Sequence, residues 1–304
     1  MFDILVAGEI NPDLILSGNA IPEFGQVEKL VDDASLTIGS SSAIFACGAA
    51  RLGLKVAFIG ICGNDVFGRF MLDEMSSRGV DVSYVIVRDD GQTGLSVILN
   101  QGSDRAILTH PGLIADLQAS DITDELLRSA RHVHVASYFL QTKLQPDLPN
   151  LFRRARSFGL TTSLDTNYDP SEQWLGFEEL LSVTNVFLPN EKEAVSLAGE
   201  SNIDLAAGRL SSQVETLGVK LGADGALGVR NGEKVRVASI PVNVMDTVGA
   251  GDSFDAGFLY GYLNDWPLDK TLRLACICGA LSTQRAGGTG GQPTLDKAMK
   301  YVSG

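Results

Sequence analysis

The sequence predicts an α/β fold, with a mainly parallel sheet covered by helices on both faces and a small β unit beside it. Short apolar segments with strand character alternate with helical segments through most of the 304 residues. That alternation is typical of parallel sheets that are buried on both faces. Two segments, 13–38 and 92–113, interrupt it with extended patterns and no long helix. We therefore expect these two segments to form the small β unit.

The elements follow in chain order from apolar runs and from helical spacing. Strands are expected at 4–7, 55–61, 131–136, 161–165, 184–188, 215–219 and 226–229. Helices are expected at 43–52, 68–78, 122–130, 147–158, 191–198 and 204–212. Residues 92–109 predict a β-hairpin that turns through 100–103. Because the sequence shows no repeat and no clear linker, one α/β domain with a β appendage is the expected organisation.

Composition narrows the possible partners. The chain is 44% hydrophobic and 20% charged, values that are ordinary for a globular protein. Its net charge is −13, with a pI near 4.6. Proteins that bind nucleic acids or anionic membranes in general carry basic surfaces, so neither class of partner is expected. An anionic ligand such as a nucleotide would have to be held by local dipoles, metal ions and a few cations.

Cysteine usage and the first residues favour a cytoplasmic protein. The four cysteines all lie in apolar surroundings, and none has the spacing of a redox or zinc motif. They are expected to be buried, reduced thiols: Cys47, Cys62, Cys276 and Cys278. Residues 1–8 carry no basic segment, and their apolar run is too short for a signal peptide or a membrane span.

The segment 246–258 carries the strongest functional signal. Gly249, Ala250 and Gly251 allow a tight turn that exposes backbone amides at the start of a helix, which is a favourable position for an anion. Asp252 falls in the first helical turn, where it can accept a proton from an alcohol while the amides hold a phosphate. A lone Gly-x-Gly-Asp is also compatible with an ordinary strand–turn–helix corner.

The longer pattern in this segment closely resembles the C-terminal signature of the ribokinase-type carbohydrate kinases, the phosphofructokinase-B family. The signature is Asp-Thr-Val-Gly-Ala-Gly-Asp at 246–252, followed by Ala-Gly-Phe at 256–258. The resemblance covers the rest of the chain in the expected order. It implies a single kinase domain over 1–304 with a ribokinase-like three-layer α/β/α fold and a β-sheet lid at about 13–38 and 92–113. It also implies ATP-dependent phosphorylation of a free sugar or sugar acid.

The resemblance assigns roles to residues that carry the sugar and the reaction. Asp252 would be the base, and the amides of 249–252 would form the anion hole. The family's N-terminal sugar motif is similar to the stretch with Gly8, Asn11 and Asp13 here, and a turn aspartate after Pro12 is the structural alternative for Asp13. The residues implied to contact the sugar are Asn11, Asp13, Gly39, Ser40, Ser41 and Arg105, besides Asp252.

A second sugar motif departs from the family pattern. Where relatives usually have Gly-Gly-x-x-x-Asn, this chain has Gly39-Ser40-Ser41-Ser42-Ala43-Ile44. A polar sugar contact is therefore missing at Ile44, and Ser40, Ser41 or Ser42 is expected to replace the lost hydrogen bond. For Arg105 a solvated hairpin position is the alternative.

Other motifs resemble the family's phosphate and nucleotide elements. Asn190 and Glu193 match its Asn-x-x-Glu element, whose oxygens suit the water shell of Mg²⁺; a helix cap is an equally good account of the same spacing. The residues implied to bind the nucleotide and its phosphates are Asp165, Asn167, Asn190, Lys220, Gly222, Gly225, Gly249, Gly251 and Gly279. Many relatives bind a K⁺ or Na⁺ ion near these elements. The residues of this chain implied to hold such an ion are Asp246, Val248, Ala286 and Gly288.

Several alternatives remain open at this level. Gly251-Asp252-Ser253 resembles a serine-hydrolase motif, but that chemistry needs a base, and every histidine precedes it. A nucleoside kinase of the same family, or a non-catalytic sensor of sugars or nucleotides, fits the motifs too.

His132 and His134 share one face of a strand, where packing at a strand edge is favoured over a metal site. Exposed lid strands favour a homodimer.

Overall fold

The chain forms a large central sheet with helices on both faces and a smaller sheet at one side. The computed structural model describes residues 1–101, 104–169 and 171–302. The strands are β1 Ile4–Ala7, β2 Pro12–Ser17, β3 Asp33–Ile38, β4 Val56–Ile59, β5 Ile61–Gly63, β6 Val80–Asp81, β7 Ile86–Arg88, β8 Leu95–Gln101, β9 Asp104–His110, β10 His132–Val135, β11 Thr161–Leu164, β12 Val186–Phe187, β13 Thr216–Lys220, β14 Ala226–Arg230 and β15 Glu233–Val237. The helices are α1 Ser41–Arg51, α2 Val66–Ser77, α3 Asp124–Arg128, α4 Leu148–Ser157, α5 Glu178–Ser182, α6 Glu191–Ala198, α7 Ile203–Leu210, α8 Ala250–Leu263, α9 Leu268–Ser282 and α10 Leu295–Val302.

The large sheet is parallel except at one end. Among the described residues its order is β15-β14-β13-β12-β11-β10-β1-β4-β6. Strands β14 and β15 run antiparallel to their neighbours, and the other pairs are parallel. This agrees with the predicted fold class.

Two hydrophobic clusters place helices on both faces of this sheet. Successive side chains of a strand point to opposite faces; accordingly Leu5 and Ala7 belong to one cluster, and Ile4 and Val6 to the other. The first cluster includes residues of α3 to α7, and the second includes residues of α1, α2, α8, α9 and α10. Both core faces of the sheet are therefore covered, which explains its apolar strands.

The two predicted interruptions pair into one small sheet. Its order is β3-β2-β8-β9, with β2 parallel to β8 and the two hairpin pairs antiparallel. The predicted hairpin is confirmed from Leu95 to His110, while its turn at 102–103 lies outside the described residues. Strand β9 lies at the edge of this sheet and is exposed along its length.

Local differences from the predicted boundaries have simple causes. The predicted strand 55–61 is two strands, because the chain leaves the large sheet at Gly60 and β5 pairs with β7 instead. The predicted helix 122–130 is limited to Asp124–Arg128, which is capped by Thr123. Helix α6 has the predicted bounds, with Asn190 as its N-cap and Gly199 in a left-handed conformation at its end.

Candidate active site

The candidate site lies at the carboxyl edge of the parallel strands, where open α/β sheets bind ligands. The chain supplies Glu9 after β1, Ser137 after β10, Asp165 after β11 and Asn190 after β12, and Lys220 ends β13. All five line one cavity of about 690 Å³ between the two sheets. Parallel strands bring these distant segments to one edge of the sheet.

One end of this cavity is built around Asp13. Asp13 lies on β2 and is buried, so the turn that was the alternative for it is wrong. The side-chain amide of Asn11 donates to Asp13 Oδ1 over 3.5 Å and to Ser96 Oγ over 3.3 Å. A Cβ at residue 39 would lie 2.2 Å from Asp13 Oδ1, so Gly39 leaves the room that Asp13 occupies. Burial raises the pKa of Asp13 to about 7, against the attraction of Arg105.

Sequence reasoning missed Glu9, which holds two of the three serines of the second sugar motif. Ser40 Oγ donates to Glu9 Oε1 over 3.0 Å, and Ser42 donates to the carboxylate through both its amide and its hydroxyl, over 3.1 and 2.5 Å. Ser137 Oγ adds a fourth contact over 2.9 Å. Ser40 also caps α1 by accepting from the amide of Ala43. The hydroxyls of Ser40 and Ser42 are thus engaged with Glu9.

Ser41 is the serine of that motif that contacts Asp252. Its hydroxyl accepts from Asn167 Nδ2 over 2.8 Å. It also makes a hydrogen bond with Asp252, which offsets a small part of the rise that burial causes in the pKa of this carboxyl. Asn167 is held in turn by the amide of Ser137, which donates to Asn167 Oδ1 over 2.8 Å. Of the three serines offered as replacements for the lost contact, Ser41 therefore has the most suitable position.

The glycine turn and Asp252 form the predicted helix N-terminus. Gly249 has a φ of 73°, a left-handed conformation that favours glycine, and α8 starts at the next residue. The amide of Ala250 donates to the carbonyl of Thr247 over 3.3 Å. The amides of Gly251 and Asp252 fall in the first turn, where no intrahelical acceptor exists. Asp252 is 7% exposed, and burial together with the nearby Asp165 raises its pKa to about 8.

Lys220 is a cation beside these groups, and its side chain is 12% exposed. Its Nζ lies 2.8 Å from Asp165 Oδ2 and 3.2 Å from Asp255 Oδ2. Carboxylate oxygens of Asp165, Asp252 and Asp255 lie within 4.8 Å of one another. The sequence analysis named Lys220 and Asp165 but missed Asp255, because its position after Asp252 reads as one more polar residue on a helix.

A second cavity of about 590 Å³ adjoins the first on the side of β13 and α8. The glycines predicted on the nucleotide side lie along it: Gly222, Gly225 and Gly279. A Cβ at residue 279 would lie 3.0 Å from the carbonyl oxygen of Ala250, so this glycine allows α9 to pass close to the anion hole. Four residues line both cavities, namely Lys220, Gly222, Thr247 and Gly251.

Asn190 and Glu193 form a capping box and also line the larger cavity. Asn190 Nδ2 donates to Glu193 Oε1 over 2.5 Å, and the Asn190 amide donates to Oε2 over 2.8 Å. Burial and the charge of Asp165 raise the pKa of Glu193 to about 7. The capping interpretation of this motif is therefore confirmed, and the Mg²⁺ interpretation stays a prediction at the same residues.

The predicted cation loop is held together by Asp246. Its Oδ1 accepts from the amide of Val248 and its Oδ2 from that of Gly287, each over 2.9 Å. Ala286 and Gly288 flank that contact in the chain, so the residues named for the cation are brought together at the turn. Ile44 packs against Gly249 and Gly288 of this turn and loop.

Arg105 and the two histidines complete the predicted residues. Arg105 lies on β9 and lines the larger cavity at the end where Asp13 lies.

The expectation of strand-edge packing for the histidines is wrong, because β10 lies in the interior of the large sheet. His132 and His134 share Ser163 Oγ at 2.7 Å each, and His134 stacks on Phe45. Burial depresses the pKa of both histidines.

All four cysteines are free and buried, as predicted. No helix within residues 1–101, 104–169 and 171–302 combines the length and the apolar character that crossing a membrane requires.

Comparisons with known proteins agree with this architecture. The chain is 32% identical over 248 residues to an uncharacterized sugar kinase of Archaeoglobus fulgidus, covering 81% of this chain and 98% of the relative. It is 28% identical over 285 residues to the 5-dehydro-2-deoxygluconokinase of Geobacillus thermodenitrificans, covering 87% and 84% of the two chains. A ribokinase II candidate from E. coli, solved with ATP and Mg²⁺, has the same fold, with a TM-score of 0.87, 23% identity and coverage of 100% and 99%.

The family match decides between the interpretations of the motif at 246–258. The model of the pfkB family carbohydrate kinases matches residues 1–295, which is nearly the whole chain. The fold of this chain, its small separate sheet and its signature at 246–252 thus agree with one another. The chain belongs to the pfkB family of carbohydrate kinases.

Proposed function

We propose that this chain transfers the γ-phosphoryl group of ATP to a hydroxyl of a free sugar or sugar acid, with residues 1–304 acting as one kinase domain. The observation that carries the proposal is the junction of the two cavities. Lys220, Gly222, Thr247 and Gly251 line both of them, and Asp252 lies at this junction. A sugar in the larger cavity and a nucleotide in the smaller one would meet at the anion hole.

The residues at the junction supply a base and an anion site. Asp252 accepts the proton of the sugar hydroxyl, and Ser41 and Asn167 orient its carboxylate through the contacts described above. The first-turn amides of α8 stabilise negative charge on the transferred group. Because burial raises the pKa of Asp252, its carboxylate is a stronger base than an exposed aspartate.

The acidic, oxygen-rich side chains near the junction fit hydrated Mg²⁺. Asn190 and Glu193 offer amide and carboxylate oxygens, which are ligands that Mg²⁺ accepts through its water shell. Bound Mg²⁺ would neutralise phosphate charge during transfer. A K⁺ or Na⁺ ion at Asp246, with backbone oxygens of Val248, Ala286 and Gly288, would fix the loop that closes the anion hole.

The small sheet is proposed to act as a lid. Strands β8 and β9 contribute Ile98, Ile107 and Thr109 to the wall of the larger cavity. A lid in this place would exclude water and limit wasteful ATP hydrolysis. The exposed edge strand β9, with Ile107 and Leu108 on its surface, supports a homodimer through the lids, since such edges readily pair. We place the enzyme in the cytoplasm.

The charges of the cavity restrict the sugar. Glu9 and Asp13 make the end away from the anion hole acidic, and Arg105 is the cation among the described residues there. This balance supports a free sugar over a phosphorylated one. A sugar acid would depend on Arg105 for its carboxylate.

A nucleoside is the second candidate substrate, and an apolar wall favours it. Isoleucine and leucine side chains line part of the larger cavity: Ile44, Ile98, Ile107, Ile114 and Leu140. Such a surface can pack against a planar base. The same site would then phosphorylate the ribose hydroxyl.

A coupled assay of ADP release tests these proposals on a panel of free sugars, sugar acids and nucleosides. The active class identifies the acceptor, and Asp252→Asn should lower kcat by roughly 10²–10⁴-fold, as expected for loss of a positioned base, while ATP binding is retained. Sugar or nucleotide binding without turnover on any acceptor would contradict the kinase proposal and favour a sensor. Near-wild-type turnover by Asp252→Asn would remove Asp252 from its role.

A further inference from the structure

The buried charge network below the anion hole is larger than a base and its anion site require. Lys220 Nζ contacts both Asp165 Oδ2 and Asp255 Oδ2. Asp255 follows Asp252 by three residues on α8, so the two carboxyls lie on the same side of the helix. Asp255 is 1% exposed. Burying such a group is costly unless it is paired, so its place next to the reaction calls for an explanation.

The amine of Lys220 lies against the glycine turn itself. A Cβ at residue 251 would lie 3.6 Å from Lys220 Nζ and equally far from its Cδ. Lys220 also belongs to the four residues that line both cavities. Its cation is therefore located where a phosphoryl group must pass on its way from the nucleotide to the acceptor.

The backbone of Lys220 and the carboxylates of Asp165 and Asp255 together fix the position of this amine. Lys220 ends β13, and its amide donates to the carbonyl of Pro189 over 3.0 Å, which anchors the residue to the next strand end. Asp165 comes from β11 and Asp255 from α8, so the amine is held between the sheet and the helix. A lysine in solution samples many rotamers, but this one is held by two carboxyls.

The directions of the pKa shifts agree with a protonated Lys220 held between Asp165 and Asp255, with one proton shared by the two carboxyls. The two carboxylates raise the pKa of Lys220 above its usual value, despite burial. Lys220 and a hydrogen bond from Asp255 lower the pKa of Asp165, whereas burial raises that of Asp255. Asp255 Oδ1 has no donor among the described groups. A proton carried by Asp255 and shared with Asp165 satisfies this oxygen.

The family resemblance already implies that Lys220 lies near the phosphates of the nucleotide. We propose that Lys220 is in addition a catalytic residue whose amine contacts the transferring phosphoryl group, and that Asp255 is a positioning residue that holds this amine in place. The inference rests on the proposed kinase function. In the transfer, the bond from the γ-phosphorus to the bridging oxygen of ADP breaks and a bond to the acceptor oxygen forms. The acceptor proton goes to Asp252, and Lys220 keeps its own proton throughout. A cation at this point stabilises the charge on the phosphoryl oxygens.

Nucleotide binding tests Lys220 without knowledge of the sugar. Isothermal titration with ATP and with ADP, both with MgCl₂, is carried out on the wild type, Lys220→Met and Lys234→Met. Lys220→Met should weaken ATP binding by about 10-fold or more relative to ADP binding, as expected for loss of a charged hydrogen bond. Lys234, whose partner is the exposed Asp204, is a matched control that should leave the ratio unchanged.

The outcomes separate the inference from the function on which it rests. A wild type that binds neither nucleotide contradicts the kinase proposal, and the inference falls with it. A wild type that prefers ATP, with the same preference in a folded Lys220→Met, overturns the inference alone. Lys220→Met leaves two carboxyls without their cation and could therefore fail to fold. In that case Lys220→Arg is used, because it keeps the positive charge but places it at a different distance from the glycine turn. That variant should fold and show the same loss of ATP preference, and an unchanged preference overturns the inference.

A double-mutant cycle with the accepted sugar tests Asp255. Asp255→Asn should lower kcat by about 3–30-fold with little change in KM for the sugar, because the amine loses one of its two anchors. In the background of Lys220→Met, or of Lys220→Arg if Met does not fold, the same change should have a much smaller effect. An equal loss in both backgrounds, or a loss of stability with unchanged kcat, would show a structural role and overturn the positioning role.

Discussion

Ile44 packs directly against Gly288, the residue at the tip of the C-terminal glycine loop. A Cβ at residue 288 would lie 2.3 Å from Ile44 Cδ1, and one at residue 249 would lie 2.9 Å from Ile44 Cγ2. The side chain thus fills the space between the anion-hole turn and the loop that closes over it. The departure from the family's asparagine at this position replaces a polar contact with packing of the two glycine loops.

We expect Gly288→Ala to lower both Tm and kcat, because the new methyl group overlaps Ile44 and displaces the turn at Gly249. Ile44→Ala removes the overlapping atoms and should restore part of the loss in the double variant, although alone it costs about 2–5 kcal/mol as a buried cavity. Thermal unfolding and steady-state kinetics measure both effects.

Gly208→Ala is the matched control for that cycle, since a Cβ at this helical glycine meets no atom within 4 Å. It should leave kcat unchanged and keep or raise Tm. Additive effects of Gly288→Ala and Ile44→Ala would contradict the proposed packing between the two loops.

Glu9→Gln is expected to destabilise the protein by about 1–3 kcal/mol, because the new amide places a donor against groups that already donate. The hydroxyls of Ser40, Ser42 and Ser137 and the amide of Ser42 all donate to this carboxylate. Urea unfolding measures the change in free energy. Asp204→Asn, at an exposed ion-paired carboxylate, is the control and should change the free energy of unfolding much less, because solvent screens exposed ion pairs. A Glu9→Gln protein as stable as the wild type would show that the carboxylate is not needed to hold these groups.

Stability should fall as the pH rises from about 4 to about 8. Burial raises the pKa of Asp13 and Glu193 to about 7 and that of Asp252 to about 8. The folded state therefore keeps protons that the unfolded chain releases near pH 4, and these groups stabilise the fold fully only below that pH. As each folded pKa is passed, the contribution of its group is lost.

Asp252→Asn should flatten this dependence, and its Tm should exceed that of the wild type by the largest margin at pH 8 to 9. Melting curves from pH 5 to pH 9 on both proteins check the prediction. The pKa of Asp204 is lowered by Lys234 and Arg236, so Asp204→Asn should give a curve parallel to that of the wild type in this range. A parallel curve for Asp252→Asn would mean that its carboxyl is not protonated in the fold.

Arg105→Ala should discriminate between the acceptor classes. For a sugar acid, loss of the guanidinium should raise KM by about 10-fold or more; for a neutral sugar or a nucleoside, KM should change by less than about 3-fold. Arg153→Ala, at a surface salt bridge with Glu179, is the control. A large rise in KM with a neutral acceptor would show that Arg105 binds hydroxyl groups.

Much of the site could be predicted from local pattern. Asp252 and the glycine turn have their roles from one contiguous stretch, because a helix start needs only neighbouring residues. The pairing of 13–38 with 92–113 was also accessible, since both segments lacked helices. Asp13 and Asn190 were found because they match motifs of the family, and Asp165 also lies at the end of a predicted strand.

Glu9, Asp255 and the packing of Ile44 could not be predicted in this way. Glu9 is one acid among many until Ser40 and Ser42 at the start of α1 and Ser137 after β10 surround it. The proposed role of Asp255 depends on its contact with Lys220 at the end of β13. The sequence by itself determined the elements, the strand ends that carry polar groups and the anion turn. Tertiary structure decided which charges are buried together and which glycines face Ile44, because those relations join segments up to about 250 residues apart and depend on packing, not on local spacing.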